Sequence, residues 1–248
     1  MHQKILEDYL NTLLEVTRFQ DYCPNGLQIE GRASIQTIVT GVTASQALLQ
    51  DAIKLQADAI LVHHGYFWRG EDARLRGIKR QRIASLIKHD INLYAYHLPL
   101  DAHARLGNNA QLAKKLDIII EGYFGEQAVA MHGFFEAPVS LHELGAKVTQ
   151  LLAREPLIVG DIARPVRHIA WCSGAAQNFF EEAIDLKVDA YLTGEISEQN
   201  VHVARESGIA FISAGHHATE RYGIQALGEH LAQQFGLCHH FIDIENPV

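Results

Sequence analysis

Five side chains have the types and positions needed to hold metal ions: His63, His64, Asp101, His216 and Glu220. His63 and His64 close the apolar run AILV and precede Gly65, which permits a tight turn. Successive residues of a strand face opposite ways, so two histidines at a strand end can diverge and serve different cations. His97-x-x-x-Asp101 follows the apolar run NLYAY, and His216-x-x-x-Glu220 follows AFISAG. A spacing of four puts both side chains on one face if a helical turn starts there. A carboxylate has two oxygens and can bridge two cations. Imidazole with carboxylate suits zinc, iron, manganese, cobalt or nickel better than calcium or magnesium. For His97 and His217 three roles are open: ligand, general acid/base near neutral pH, or a group that orients a ligand. Glu195, in TGEIS, occupies the second-half counterpart of the His63-His64 turn.

The elements that must position these residues occur twice. DAIKLQADAIL at 51–61 matches EAIDLKVDAYL at 182–192, with Asp58 and Asp189 in register. The register runs upstream without a gap, placing Ile38 on Ile169, Gln46 on Gln177 and Ala52 on Ala183. Each copy reads as strand, helix and short apolar strand, then a strand ending in histidine and carboxylate, then a helical stretch (NNAQLAKKL; GIQALGEHL). The strands are continuous apolar runs, as expected where both sheet faces are covered. The fold class is therefore α/β: two interleaved, duplicated α/β repeats with sheets flanked by helices and a metal site between them. The expected division is 1–120 for the first repeat, 121–164 for a bridging insert without a counterpart, and 165–248 for the second repeat. Ligands in open α/β sheets bind beyond the carboxyl ends of strands, where every one of these clusters falls.

Composition narrows the alternatives. The 248 residues, with 48% hydrophobic and 20% charged content, are those of an ordinary folded domain or two small ones. A net charge of −8 without a basic tail argues against a duplex-nucleic-acid binder. Arg69, Arg74, Arg76, Lys79, Arg80 and Arg82 crowd one short stretch, which reads as a solvated face or as an anion-attracting rim. Three scattered cysteines argue against disulfides or a thiolate zinc site and fit a reducing cytoplasm. Neither a signal peptide nor a membrane span is expected. Of the fifteen histidines, His89, His168 and His202 read as hydrogen-bonded core residues and His239-His240 as a surface loop. Cys172-Ser173-Gly174 reads as the turn after a buried strand. Nucleophile elbow, phosphate loop and dinucleotide fingerprint are all absent from the sequence.

At these residues the chain resembles the Nif-three-like dinuclear metal centre hexameric protein family, whose members are also called GTP cyclohydrolase I type 2 homologues. The likeness rests on DYCPNGLQIEG, TGVTAS, ADAILVHHGYFW, NLYAYHLPLDAH with GNNAQLA, DAYLTGE and AGHHATER, in that order along nearly the whole chain. The resemblance implies a toroidal homohexamer with metal sites facing its interior. It also implies that His63, His64, Asp101, His216 and Glu220 are the ligands of two divalent metal ions, with Glu220 bridging. His97 sits where the family places a further histidine close to the metals.

Two functions compete at this point. The first is a cytoplasmic, metal-dependent hydrolase of a nucleotide or related small molecule, with His97 moving a proton. On GTP the attacked atom would be C8, with release of formate. On a phosphoester it would be phosphorus, with the Arg69–Arg82 stretch screening charge. The second is a non-enzymatic, metal-dependent hexameric adaptor or regulatory protein.

Overall fold

In the first half of the chain the apolar runs form short strands, most of them followed by a helix. In a computed structural model describing residues 1–248, the order is α1 (Gln3–Leu13), β1 (Gly26–Ile29), β2 (Thr37–Thr43), α2 (Gln46–Lys54), β3 (Ala59–His64), α3 (Gly77–His89), β4 (Asn92–Ala95) and α4 (Leu98–Ala102). There follow α5 (Asn108–Leu116), β5 (Ile119–Phe124), β6 (Ala130–Ser140), α6 (Leu141–Leu152), β7 (Leu157–Val159) and β8 (Pro165–Trp171). The chain ends through α7 (Phe180–Asp185), β9 (Ala190–Thr193), α8 (Glu198–Ser207), β10 (Ala210–Ser213), α9 (His216–Thr219), α10 (Arg221–Phe235) and β11 (Cys238–Phe241). No helix is long and apolar enough to cross a membrane.

The chain divides into two compact units, residues 1–107 with 223–245, and residues 108–222 with 246–248. In the first, a five-stranded sheet has the order β1-β4-β3-β2-β11. Its side chains alternate strictly. Ile38, Ala59, Leu61 and Tyr94 pack with Leu6 and Leu10 of α1 and with Ile224, Leu227 and Leu231 of α10. Val39, Ile60, Val62 and Leu93 face the other way, onto Leu48 and Leu49 of α2 and Ile83 and Leu86 of α3. Each fully buried leucine contributes about 1.5–3 kcal/mol.

The second unit repeats this plan on a six-stranded sheet, β5-β6-β8-β9-β10-β7. Ile169, Ala190, Leu192 and Ile212 pack with α5 and α6, whereas Ala170, Tyr191 and Phe211 pack with Phe180 and Ala183 of α7 and Ala204 of α8. The aspartates that the sequence aligned do the same work in both copies. Asp58 accepts hydrogen bonds from the Gln36 and Thr37 amides at 2.9 Å, and Asp189 from the Arg167 and His168 amides at 2.9 Å.

The segment 121–164 is more than a bridge. Its α6 and β7 stand to β8 as α1 and β1 stand to β2: β7 pairs antiparallel with β10, as β1 does with β4. Only the antiparallel pair β5–β6 is extra. Residues 223–245, expected in the second repeat, likewise pack in the first unit, while α5, expected in the first repeat, packs in the second. His168 and His202 are exposed and His89 is only half-buried, so none is a core residue, and His239 and His240 are not in a loop. They lie in β11, which pairs parallel with β2, and His239 Nε2 meets Thr40 Oγ1 at 2.8 Å.

Candidate metal centre

In the first unit, β3 runs through both histidines rather than ending before them. His63 is fully buried and His64 half-buried, and at this strand end their rings lie together with centroids 4.6 Å apart. Each ring is fixed by its Nδ1. That of His63 donates to the Tyr96 carbonyl at 2.9 Å, and that of His64 lies 3.2 Å from Thr43 Oγ1. A carbonyl can only accept, so His63 Nδ1 carries a proton and Nε2 is the nitrogen turned toward the site. That Nε2 faces Asp101 Oδ1 at 3.5 Å. Two acceptors aimed at one another inside a protein are stable only with a cation between them, either a proton or a metal.

His97 caps α4 and brings Asp101 round by one turn, as the four-residue spacing requires. Donor atoms of His63, His64 and His97 all lie within 4.8 Å of one another. His97 Nδ1 is bonded to Asp21 Oδ1 at 2.7 Å, so its Nε2 is the nitrogen left for chemistry. The Asp21 side chain is only 3% exposed and also accepts from Asn25 Nδ2 and the Tyr22 and Leu98 amides. Burial pushes its pKa up, but the His97 hydrogen bond and charge, with these donors, outweigh that and hold it down at about 2. Cys23 also has its sulfur near this pair. Burial and the Asp21 charge push its thiol up to about 12, so it is a poor metal ligand in this setting.

In the second unit, α9 begins at His216, one turn before Glu220. His216 Nδ1 meets Glu195 Oε1 at 2.7 Å, and its Nε2 meets Glu220 Oε2 at 3.2 Å. This is an imidazole between two carboxylates, one orienting and one sharing the ligand position. Burial pulls the His216 pKa down, but Glu220 and Glu195 together raise it to about 9. Gly174, in the turn after β8, has φ +67° and lies against Glu220, where a Cβ would fall 2.2 Å from Oε1. His217 is buried beside the ligand pair, and its amide donates to the Val248 carbonyl.

The donor sets in both units thus fit divalent transition metals: imidazoles held through Nδ1, with Nε2 turned toward buried carboxylates. Clustered histidine, aspartate and glutamate residues here could bind metal ions. The sequence reading missed Asp21, Gly174 and the role of Glu195, although Asp21 and Glu195 both lie in stretches it singled out. The basic rim is also smaller than its composition implied. Arg74 pairs with Asp72 at 2.7 Å and Lys79 with Glu71 at 2.9 Å, while Arg69 is drawn in by the Asp21 carbonyl at 3.1 Å.

Comparison with known proteins adds a family to this geometry. Residues 1–247 match the family described as Duf34/NIF3 (NGG1p interacting factor 3). The chain is 56% identical over 244 residues to a Yersinia pestis protein called GTP cyclohydrolase 1 type 2 homolog, covering 98% of each. Among solved structures, it superposes with a TM-score of 0.96 and 49% identity on protein ybgI, of unknown function, covering 100% of both chains. TTHA1606 from Thermus thermophilus superposes with a TM-score of 0.92 and 31% identity, again covering 100% of both chains.

Proposed function

The chain belongs to the Duf34/NIF3 family, and on that premise we propose that it is a metal-dependent hydrolase of a nucleotide or related small molecule. His63, His64 and Asp101 of the first unit and His216 and Glu220 of the second would hold two divalent cations. So held, the cations would supply Lewis acidity and a water of lowered pKa. The observation that carries this reading is the clustering of donors in the first unit, with His63 Nε2 3.5 Å from Asp101 Oδ1 and the donor atoms of His63, His64 and His97 within 4.8 Å of one another.

The remaining steps belong to the protein's own side chains. Asp21 fixes the His97 tautomer, which leaves Nε2 able to take a proton from the attacking water and return it to the leaving group. Asp21 stays ionised and stabilises the imidazolium as it forms. Glu195 orients His216 in the same manner. The name carried by the Yersinia pestis relative supports a purine nucleotide as the first substrate to try. A ring-shaped homohexamer in the cytoplasm is part of the same proposal, on the strength of the family resemblance.

The test is an activity screen of zinc-, iron-, manganese-, cobalt- and nickel-loaded protein against nucleotides, reading formate and phosphate release. Turnover that disappears in Glu220→Gln supports the hydrolase. Full metal occupancy with no turnover on any nucleotide would sink it and favour a non-enzymatic adaptor.

A further inference from the structure

His97 is walled by aromatic rings that the hydrolytic chemistry does not require. Trp68 stands edge-on to it with centroids 5.0 Å apart at 85°, and also approaches the His64 ring at 5.9 Å. Tyr22 meets His97 from the 20–25 loop at 6.5 Å and 63°. Tyr22 is 50% exposed and Trp68 partly so, an unusual placement for rings of this size so close to a buried dyad. The Arg69 guanidinium lies over the Tyr22 ring at 5.7 Å. It is held there by two bonds, its amide to the Tyr22 carbonyl at 2.7 Å and its Nη2 to the Asp21 carbonyl at 3.1 Å. Two loops distant in sequence are thereby locked into one surface of ring, ring and cation. All of it lies within the first unit.

We propose that Trp68, Tyr22 and Arg69 form a recognition surface for a planar heteroaromatic ring bearing an anionic group, seating that ligand beside His97. Stacking on Trp68 and Tyr22 reads the flatness of the ring and is tolerant of its substituents. Arg69 reads the negative charge through guanidinium hydrogens not committed to the Asp21 carbonyl. Of the other cations in this stretch, Arg74 is paired with Asp72 and Lys79 with Glu71, whereas Arg69 lies over the Tyr22 ring. The surface names the substrate class of the proposed hydrolase and rests on that reading only for what happens after binding.

Binding and turnover therefore separate the two claims. The sequence has two tryptophans, and Trp171 is fully buried, so ligand-induced fluorescence changes report on Trp68. Metal-free and zinc-loaded protein is titrated with guanosine monophosphate, guanosine, ribose 5-phosphate and inorganic phosphate, following both fluorescence and heat. Saturable quenching by guanosine monophosphate in both forms is expected, with ribose 5-phosphate and phosphate at least about tenfold weaker. Trp68→Leu should weaken guanosine monophosphate by about tenfold by heat, and Trp68→Phe should restore most of it. Arg69→Gln should remove the preference for the monophosphate over guanosine. Equal affinity for ribose 5-phosphate, or unchanged affinity in Trp68→Leu at an unchanged melting temperature, overturns the surface. Binding that follows this pattern, with no turnover of any nucleotide by any of the five metal-loaded forms, supports the surface and overturns the hydrolase.

Discussion

The chemistry of single residues turns on which nitrogen of each imidazole faces a carboxylate across the site. His63 spends Nδ1 on a backbone carbonyl and His216 spends Nδ1 on Glu195, so both offer Nε2 toward a carboxylate. In the metal-free protein the His216 position has one stabilising cation available, the proton, and its pKa of about 9 expresses this. The folded-state value is raised, so at neutral pH the metal-free protein carries that proton and a metal must displace it. Zinc affinity should therefore rise with pH until about 9, and zinc binding at pH 7 should release protons. Calorimetry in buffers of different ionisation heat reads this directly, and binding without proton release would contradict it. Gly174 gives a second expectation. Gly174→Ala meets both a positive φ and the Glu220 carboxylate, and should cost about 10- to 100-fold in zinc affinity, measured by competition with a chelator.

Elements explain why some of this was legible in the sequence and some was not. The matched stretches around Asp58 and Asp189 were readable because the same hydrogen bonds demand the same residue in both copies. The correspondence of α1–β1 with α6–β7 was not, because it lies in strand pairing and packing direction, which many side chains satisfy equally well. The His-x-x-x-carboxylate turns were legible from spacing alone, while Asp21 reaches His97 across 76 positions, beyond any local pattern. The assignment of His239-His240 to a loop failed for a related reason, since β11 exists only because β2 offers an edge. Burial lowers the His239 pKa, against the opposing pull of Glu229, so folding favours the neutral ring. Its contribution to stability is then full above about 6.5 and is lost as pH falls below that value. Gly228 of α10 leaves room for this ring, with a Cβ there only 2.1 Å from Nε2, so the strand is tied to the helix as well as to β2. The melting temperature should fall between pH 7 and 5 by more in the parent protein than in His239→Gln. Equal slopes would contradict the assignment.

At the scale of the whole molecule, the chain leaves its first unit after Gly107 and returns at Gly223. Each crossing comes shortly after a histidine and its carboxylate, Asp101 in one case and Glu220 in the other. Duplication thus accounts for why each unit carries its own imidazole–carboxylate pair, and the reciprocal placement of α5 and α10 ties the two copies into one chain path. The central claim is that both pairs serve metal ions. Elemental analysis of protein dialysed against zinc, then freed of excess metal, tests it most directly. Wild type should retain about two zinc ions per chain, as a two-metal site requires, and Asp101→Asn and His216→Gln should each retain about one or fewer. No retained zinc in the wild type, or the same content in all three proteins, would contradict the account.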